Sequence, residues 1–185
     1  TFATQVREAL QTVNRELRVA AVVRDVPLIG STVAVLLAWE LYCAFLWAGD
    51  SRIYLLRNGQ LKQLTRDHSQ LEELRAQGYL TGEEAGHPRQ NLITRAVGAV
   101  DLLELDQGSL LVADGDIFLL CSDGLSNLVS EEAMVRALGS GNCDQAVATL
   151  IDLALKGGGR DNITAVVVRA EDLDSGDMTL LNPAL

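Results

Sequence analysis

Val6, Leu10, Val13 and Leu17 recur at helical spacing among Arg, Glu and Gln, which predicts an amphipathic helix over the first part of the chain, laid across a core. From Ser31 the pattern changes to strand-like runs: STVAVLLAW, LYCAFLWAG and SRIYLLRNGQLKQLT. Asn58-Gly59 is a two-residue hairpin signal, so an antiparallel meander is expected here. Residues 67–90 turn polar, and Ser69 with Glu72 has capping-box spacing, predicting a short helical excursion before the chain returns at NLITRAVGAV. DIFLLCSDG reads as a buried strand ending at Ser122-Asp123-Gly124. Two helices follow, one opened by Ser130 with Glu131 and Glu132 in its first turn, the other CDQAVATLIDLALKGGG, stopped by its glycines. ITAVVVRA is the last strand. Strands in consecutive runs with helices set apart indicate an α+β fold, antiparallel sheets packed under helices.

The chain has 185 residues, 48% of them hydrophobic, enough for one core and one domain. Its 15 Lys and Arg stand against 25 Asp and Glu, a net charge of −10, with no basic cluster. That balance argues against nucleic-acid or anionic-membrane partners. An acidic protein acting on an anionic substrate needs metal ions to reverse the local sign. Cys43, Cys121 and Cys143 are odd in number and lack disulfide spacing, so a reducing, cytoplasmic setting is expected. The longest apolar stretch is interrupted by Glu40 and fits two buried strands better than a membrane span or a signal peptide. Residues 1–170 read as the domain and 171–185 as an acidic tail or linker. Because the first residue is Thr1, the chain reads as a piece of something longer.

Asp50 in LWAGDSRIY, Asp123 in LLCSDGLSN and Asp161 in GGRDNITAV share one context: each stands where an apolar strand meets a glycine-containing turn. Any one of them has the ordinary role of a turn residue bonding nearby backbone. If the strand ends converge, however, three carboxylates share a cleft and must take up protons or bind a hard divalent cation. Oxygen ligands favour Mg2+ or Mn2+ over Zn2+, and His68 and His87 offer no zinc set.

WAGDSRIYLLRNGQLKQLTRDHS, NLITRAVGA, GDIFLLCSDGLSNLVS and GGRDNITAVVV resemble, in order, the motifs of the metal-dependent Ser/Thr protein phosphatases of the type 2C (PPM) family in its bacterial form. The resemblance implies a β-sandwich of two antiparallel sheets flanked by helices. It also implies a centre of two Mn2+ or Mg2+ ions, with a third, looser ion in bacterial members. Asp123 and Asp161 would be catalytic metal ligands, and Asp50 would share the third ion with Asp123. The implied reaction is hydrolysis of phosphoserine and phosphothreonine on proteins by a metal-activated water, opposing a Ser/Thr kinase. None of the three cysteines has the basic, exposed setting of a phosphatase nucleophile.

The family's N-terminal motifs, a phosphate-binding Arg and an Asp-Gly metal pair, have no counterpart in these residues, and Asp25 matches no ligand. The alternatives are therefore a non-catalytic pseudophosphatase serving as a binding module, and a hydrolase of small phosphoesters. Association with an N-terminal segment or another chain is also expected. By position Ser69 to Gln90 corresponds to the family's variable flap, read either as a substrate gate or as a solvated loop. His68 is expected to fix local structure, and Arg52 and Arg95 to form structural ion pairs.

Overall fold

The computed structural model describes residues 2–78 and 92–171. The chain opens with helix α1 (Phe2–Val23), followed by β1 (Val33–Trp39), β2 (Tyr42–Ala48), β3 (Arg52–Arg57) and β4 (Gln60–Gln63). Helix α2 (Gln70–Ala76), β5 (Asp106–Leu111) and β6 (Ile117–Cys121) come next. Helices α3 (Asp123–Ser126), α4 (Glu131–Leu138) and α5 (Cys143–Lys156) then lead to β7 (Ala165–Arg169). Two antiparallel sheets result, ordered β1-β2-β5 and β4-β3-β6-β7.

Asn58 and Gly59 take φ of 52° and 75°, the left-handed pair that a tight β3–β4 hairpin needs. Ser69 caps α2 by accepting from the Glu72 N–H, and Ser130 and Asn142 cap α4 and α5 in the same way. The meander reading holds only in halves. β1 pairs with β2 and β3 with β4, but β2 and β3 lie in different sheets. Both strands are buried along most of their length, and stacking the sheets covers both faces where a flat meander would leave one wet. The segment at NLITRAVGAV makes isolated bridges, Ser31 with Val97 and Ser69 with Ile93, instead of a strand.

Between the sheets lie Cys43, Phe45 and Trp47 of β2 against Ile53 and Leu55 of β3 and Phe118 of β6. The outer face of the four-stranded sheet, through Tyr54, Leu56, Ile117, Leu119 and Cys121, packs on Leu125, Met134, Leu138, Leu150 and Ala154 of the C-terminal helices. Leu10 and Leu17 of α1 pack with Val33, Ala48, Val97 and Leu103 on the other side. The order is thus helix, sheet, sheet, helices. At the far end of the three-stranded sheet the cross-strand neighbours Trp39, Tyr42 and Leu111 are exposed, at 71%, 59% and 57%.

The inward stripe of α1 differs from its apolar pattern. Val13 is exposed, and Asn14, the next residue, is fully buried. Its Nδ2 donates to the carbonyls of Val100 (2.9 Å) and Asp101 (3.3 Å), and its Oδ1 accepts from the Gly98 N–H at 2.6 Å. An irregular turn under a helix leaves backbone groups that an apolar residue cannot satisfy. Asn14→Leu should therefore cost about 2–4 kcal/mol in urea unfolding, from the polar groups left unpaired; a loss below about 0.5 kcal/mol would show that water replaces the amide.

A second tie joins Arg57 of β3 to Asp116, bidentate at 2.7 and 2.6 Å, with the carboxylate also accepting from the Ala113 N–H. Arg57 holds the Asp116 carboxyl below the usual carboxylate range. Its stabilisation is complete above the unfolded pKa near 3.9 and is lost as pH falls through the lower folded value. Asp116→Asn should flatten the acid limb of a stability–pH curve below about pH 4, where the native protein still loses stability.

Candidate active site

Because β2 and β3 belong to different sheets, the chain must cross the sandwich at Gly49-Asp50-Ser51. Gly49 makes that corner at φ 112°, and a Cβ there would lie 2.4 Å from Thr32 Cγ2. His68 fixes the corner from the neighbouring loop. Its Nδ1 accepts from the Gly49 N–H at 3.1 Å, and its backbone N–H donates to the Gly49 carbonyl at 2.9 Å. With Nδ1 accepting, the ring proton belongs on Nε2, 3.1 Å from Asp106 Oδ2; Arg95 Nη1 holds the other Asp106 oxygen at 2.8 Å. His68 is thus a structural residue, as expected, and Arg95 pairs with Asp106 rather than with a candidate ligand.

Asp50 enters a polar cleft of about 340 Å3 whose walls include Arg52, Arg66, Asp67, Glu72, Arg75, Asp123 and Asn127. Arg52 is committed to Asp67 through three contacts of 2.7–3.1 Å and to the Tyr54 hydroxyl at 3.0 Å. That pairing answers the expectation of a structural ion pair. Among the described residues it leaves Asp50 without a bonded cation, and burial together with the facing Asp123 carboxylate pushes the Asp50 carboxyl up.

Asp123 starts α3, directly after β6. Here β6 and β7 end side by side and Ser122 joins them: its Oγ donates to the Asn162 carbonyl at 2.9 Å and accepts from the Thr164 N–H at 3.0 Å. Gly124 is buried against the same loop, where a Cβ would sit 2.5 Å from the Asn162 carbonyl oxygen and 3.4 Å from Asp161 Cβ. Asp161 is exposed, its Oδ1 accepting from the Asn162 N–H at 2.7 Å. Asp123 and Asp161 line a second groove with Gly157, Gly158 and Arg160.

Asp123 is therefore the shared member of two pairs, with Asp50 on one side and Asp161 on the other. Among the described residues no group of three or more His, Cys, Asp or Glu side chains is drawn together as a metal site. Donor chemistry nevertheless fits Mg2+ or Mn2+: the facing groups are carboxylates, and the nearest guanidinium is already paired. Two of the three cysteines, Cys43 and Cys121, are buried. Cys121 is buried and pushed up to about 12 by desolvation.

Sequence reasoning located the three aspartates but missed what holds them. The Ser122 clamp and the Gly124 contact depend on residues distant along the chain. Their only sequence signal is a small residue on each side of Asp123.

The fold and this acidic edge define a class: a helix-flanked β-sandwich with carboxylates gathered at one rim. The chain belongs to the protein phosphatase 2C family, whose sequence model matches residues 4–163. It is 39% identical over 156 residues to the serine/threonine protein phosphatase PstP of Mycobacterium tuberculosis, across 82% of this chain and 30% of that protein's length. Among solved structures, PppA of Pseudomonas aeruginosa superposes with a TM-score of 0.84 at 41% identity, covering 91% of this chain and 70% of that one. The catalytic domain of PstP, solved with two manganese ions, gives 0.82 at 35% identity, covering 91% and 71%. These likenesses bear out the expected α+β sandwich.

Gly124→Ala should force the 161–162 loop away, costing about 1–3 kcal/mol of stability as an overpacked contact does. Ser122→Ala should cost about 1 kcal/mol. Thermal unfolding of the two variants checks both values, and an unaltered Gly124→Ala would mean that the loop yields freely.

Proposed function

We propose that this chain is the phosphatase domain, residues 1–170, of a metal-dependent protein serine/threonine phosphatase, with 171–185 an acidic tail or linker. The carrying observation is Asp123, fixed between Asp50 and Asp161 at the strand-end rim of a chain that belongs to the protein phosphatase 2C family. Asp123 and Asp161 hold the principal divalent ions and Asp50 shares a third with Asp123; Mn2+ and Mg2+ both suit the oxygen donors. When bound, the metals supply a hydroxide at neutral pH and offset the charge on the phosphoryl oxygens.

The protein's own part is positional. The Gly49–His68 corner and the Ser122 clamp hold the carboxylates before any ion arrives, so little reorganisation accompanies binding. Arg52 is held by Asp67 and so is not drawn onto Asp50. The substrates are phosphoproteins, and a Ser/Thr kinase is the opposing activity. No helix among the described residues is long and apolar enough to cross a membrane. The three free cysteines fit a reducing, cytoplasmic setting. The exposed Trp39, Tyr42 and Leu111 support association with further sequence or another chain.

The test uses the complete gene product, a phosphothreonine peptide and p-nitrophenyl phosphate, with and without Mn2+. Expected is metal-dependent release of phosphate from the peptide. Asp123→Asn and Asp161→Asn should each lower kcat/KM about a hundredfold or more, near 2.7 kcal/mol of transition-state energy, while circular dichroism stays native. Asp50→Ala should lower kcat with a smaller loss of metal affinity. Peptide left intact in the presence of Mn2+ would favour a binding module, and turnover of the small ester alone would favour a small-phosphoester hydrolase.

A further inference from the structure

The walls of the Asp50–Asp123 cleft have opposite character. One presents the two carboxylates; the other, built from the loop after β4 and from α2, presents Arg66 and Arg75. Among the described residues both guanidiniums share a single acidic partner. Arg66 Nε is 3.3 Å from Glu72 Oε1, and Arg75 Nη1 is 3.6 Å from Glu72 Oε2 across an i, i+3 step of α2. Arg66 Nη2 also donates to the Glu72 carbonyl at 3.1 Å, and the arginine side chains are 56% and 50% exposed. Pairs of that kind contribute little and exchange partners readily. Arg52 is the contrast within the same cleft: at 24% exposure, with three contacts to Asp67, it is not free to change partner.

Beside the Arg52–Asp67 pair, the α2 side of the cleft carries Arg66 and Arg75 with Glu72 and, next on the helix, Glu73, so two weakly held guanidiniums reach the cleft of a chain whose net charge is −10. A planar guanidinium presents paired donors that match a carboxylate or phosphate. A phosphoryl group drawn to the carboxylate wall through its cations leaves the arginine wall facing the residues beside it. Resting on the phosphatase reading, we propose that Arg66 and Arg75 recognise an acidic side chain flanking the phosphorylated residue, giving the enzyme a preference for acidic phosphopeptides. The net charge of the chain alone favours the reverse, because long-range repulsion disfavours an acidic peptide.

The experiment compares two phosphothreonine peptides that differ only in Glu against Gln at the flanking positions, using the complete gene product. Fluorescence anisotropy without divalent ions reads binding, and kcat/KM with Mn2+ reads turnover. The native protein should favour the Glu peptide about five- to tenfold in both, chiefly through KM, and the preference should shrink with added salt. The double variant Arg66→Ala/Arg75→Ala should lose it, and Arg66→Lys/Arg75→Lys should recover part of it. Equal affinity of the native protein for both peptides overturns the proposal. So does an equal loss on both peptides in the alanine variant, which is what contact with the scissile phosphoryl would produce. An arginine-dependent preference in anisotropy without turnover by the native protein would uphold recognition and overturn the phosphatase reading instead.

Discussion

At the rim of the sandwich, Ser122 joins the ends of β6 and β7 by accepting from the Thr164 N–H and donating to the Asn162 carbonyl. Everything proposed for the site depends on that tie. It fixes where Asp123 leaves the strand and where Asp161 enters the next one, and the close contact of Gly124 with the Asn162 carbonyl leaves no room for a side chain between them. The carboxylates are therefore positioned by backbone geometry, and the helices packed behind the sheet hold that backbone in turn. Leu125, one residue beyond Gly124, is fully buried in the same core as Leu150 of α5 and Leu119 of β6. Folding the hydrophobic core and setting the acidic edge are one process.

Charge is distributed by the same logic. Most buried or half-buried cations beside the sheets have a dedicated acid: Arg52 has Asp67, Arg57 has Asp116, and Arg95 shares Asp106 with His68. These pairs brace the crossing between sheets and the strand ends, and they keep guanidinium groups away from Asp50. The facing carboxylates of Asp50 and Asp123 keep their mutual repulsion, which a divalent cation would relieve. Structural ion pairs on one side of the corner and uncompensated carboxylates on the other turn a stable sandwich into a site with a defined sign.

Much of this was legible in the sequence because its signals are local. Helical spacing gave α1 and α5, cap residues gave the starts of α2 and α4, and Asn58-Gly59 gave the β3–β4 turn. The recurrence of Asp at strand ends gave Asp50, Asp123 and Asp161. What was not legible depends on distant partners. The change of sheet at Gly49 is dictated by Thr32 and His68, neither of which signals a corner. β5 was missed because its outward residues Gln107 and Ser109 are polar and Gly108, opposite Phe45, has no side chain to register as apolar. Asn14 was missed because its partners, the backbone groups of residues 98–101, lie more than 80 positions away. The predicted flap beyond Gly78, His87 within it, and the acidic tail from Asp172 lie outside the described residues.

The position of metal is the point on which this reading of the site turns, and diffraction at the manganese absorption edge locates it without reference to turnover. Crystals of the complete gene product grown with Mn2+ should show anomalous peaks against the Asp123 carboxylate, on the sides facing Asp50 and Asp161, and no peak there in Asp123→Asn crystals. Saturating Mn2+ with no anomalous peak at Asp123, or with peaks only elsewhere on the surface, would contradict it.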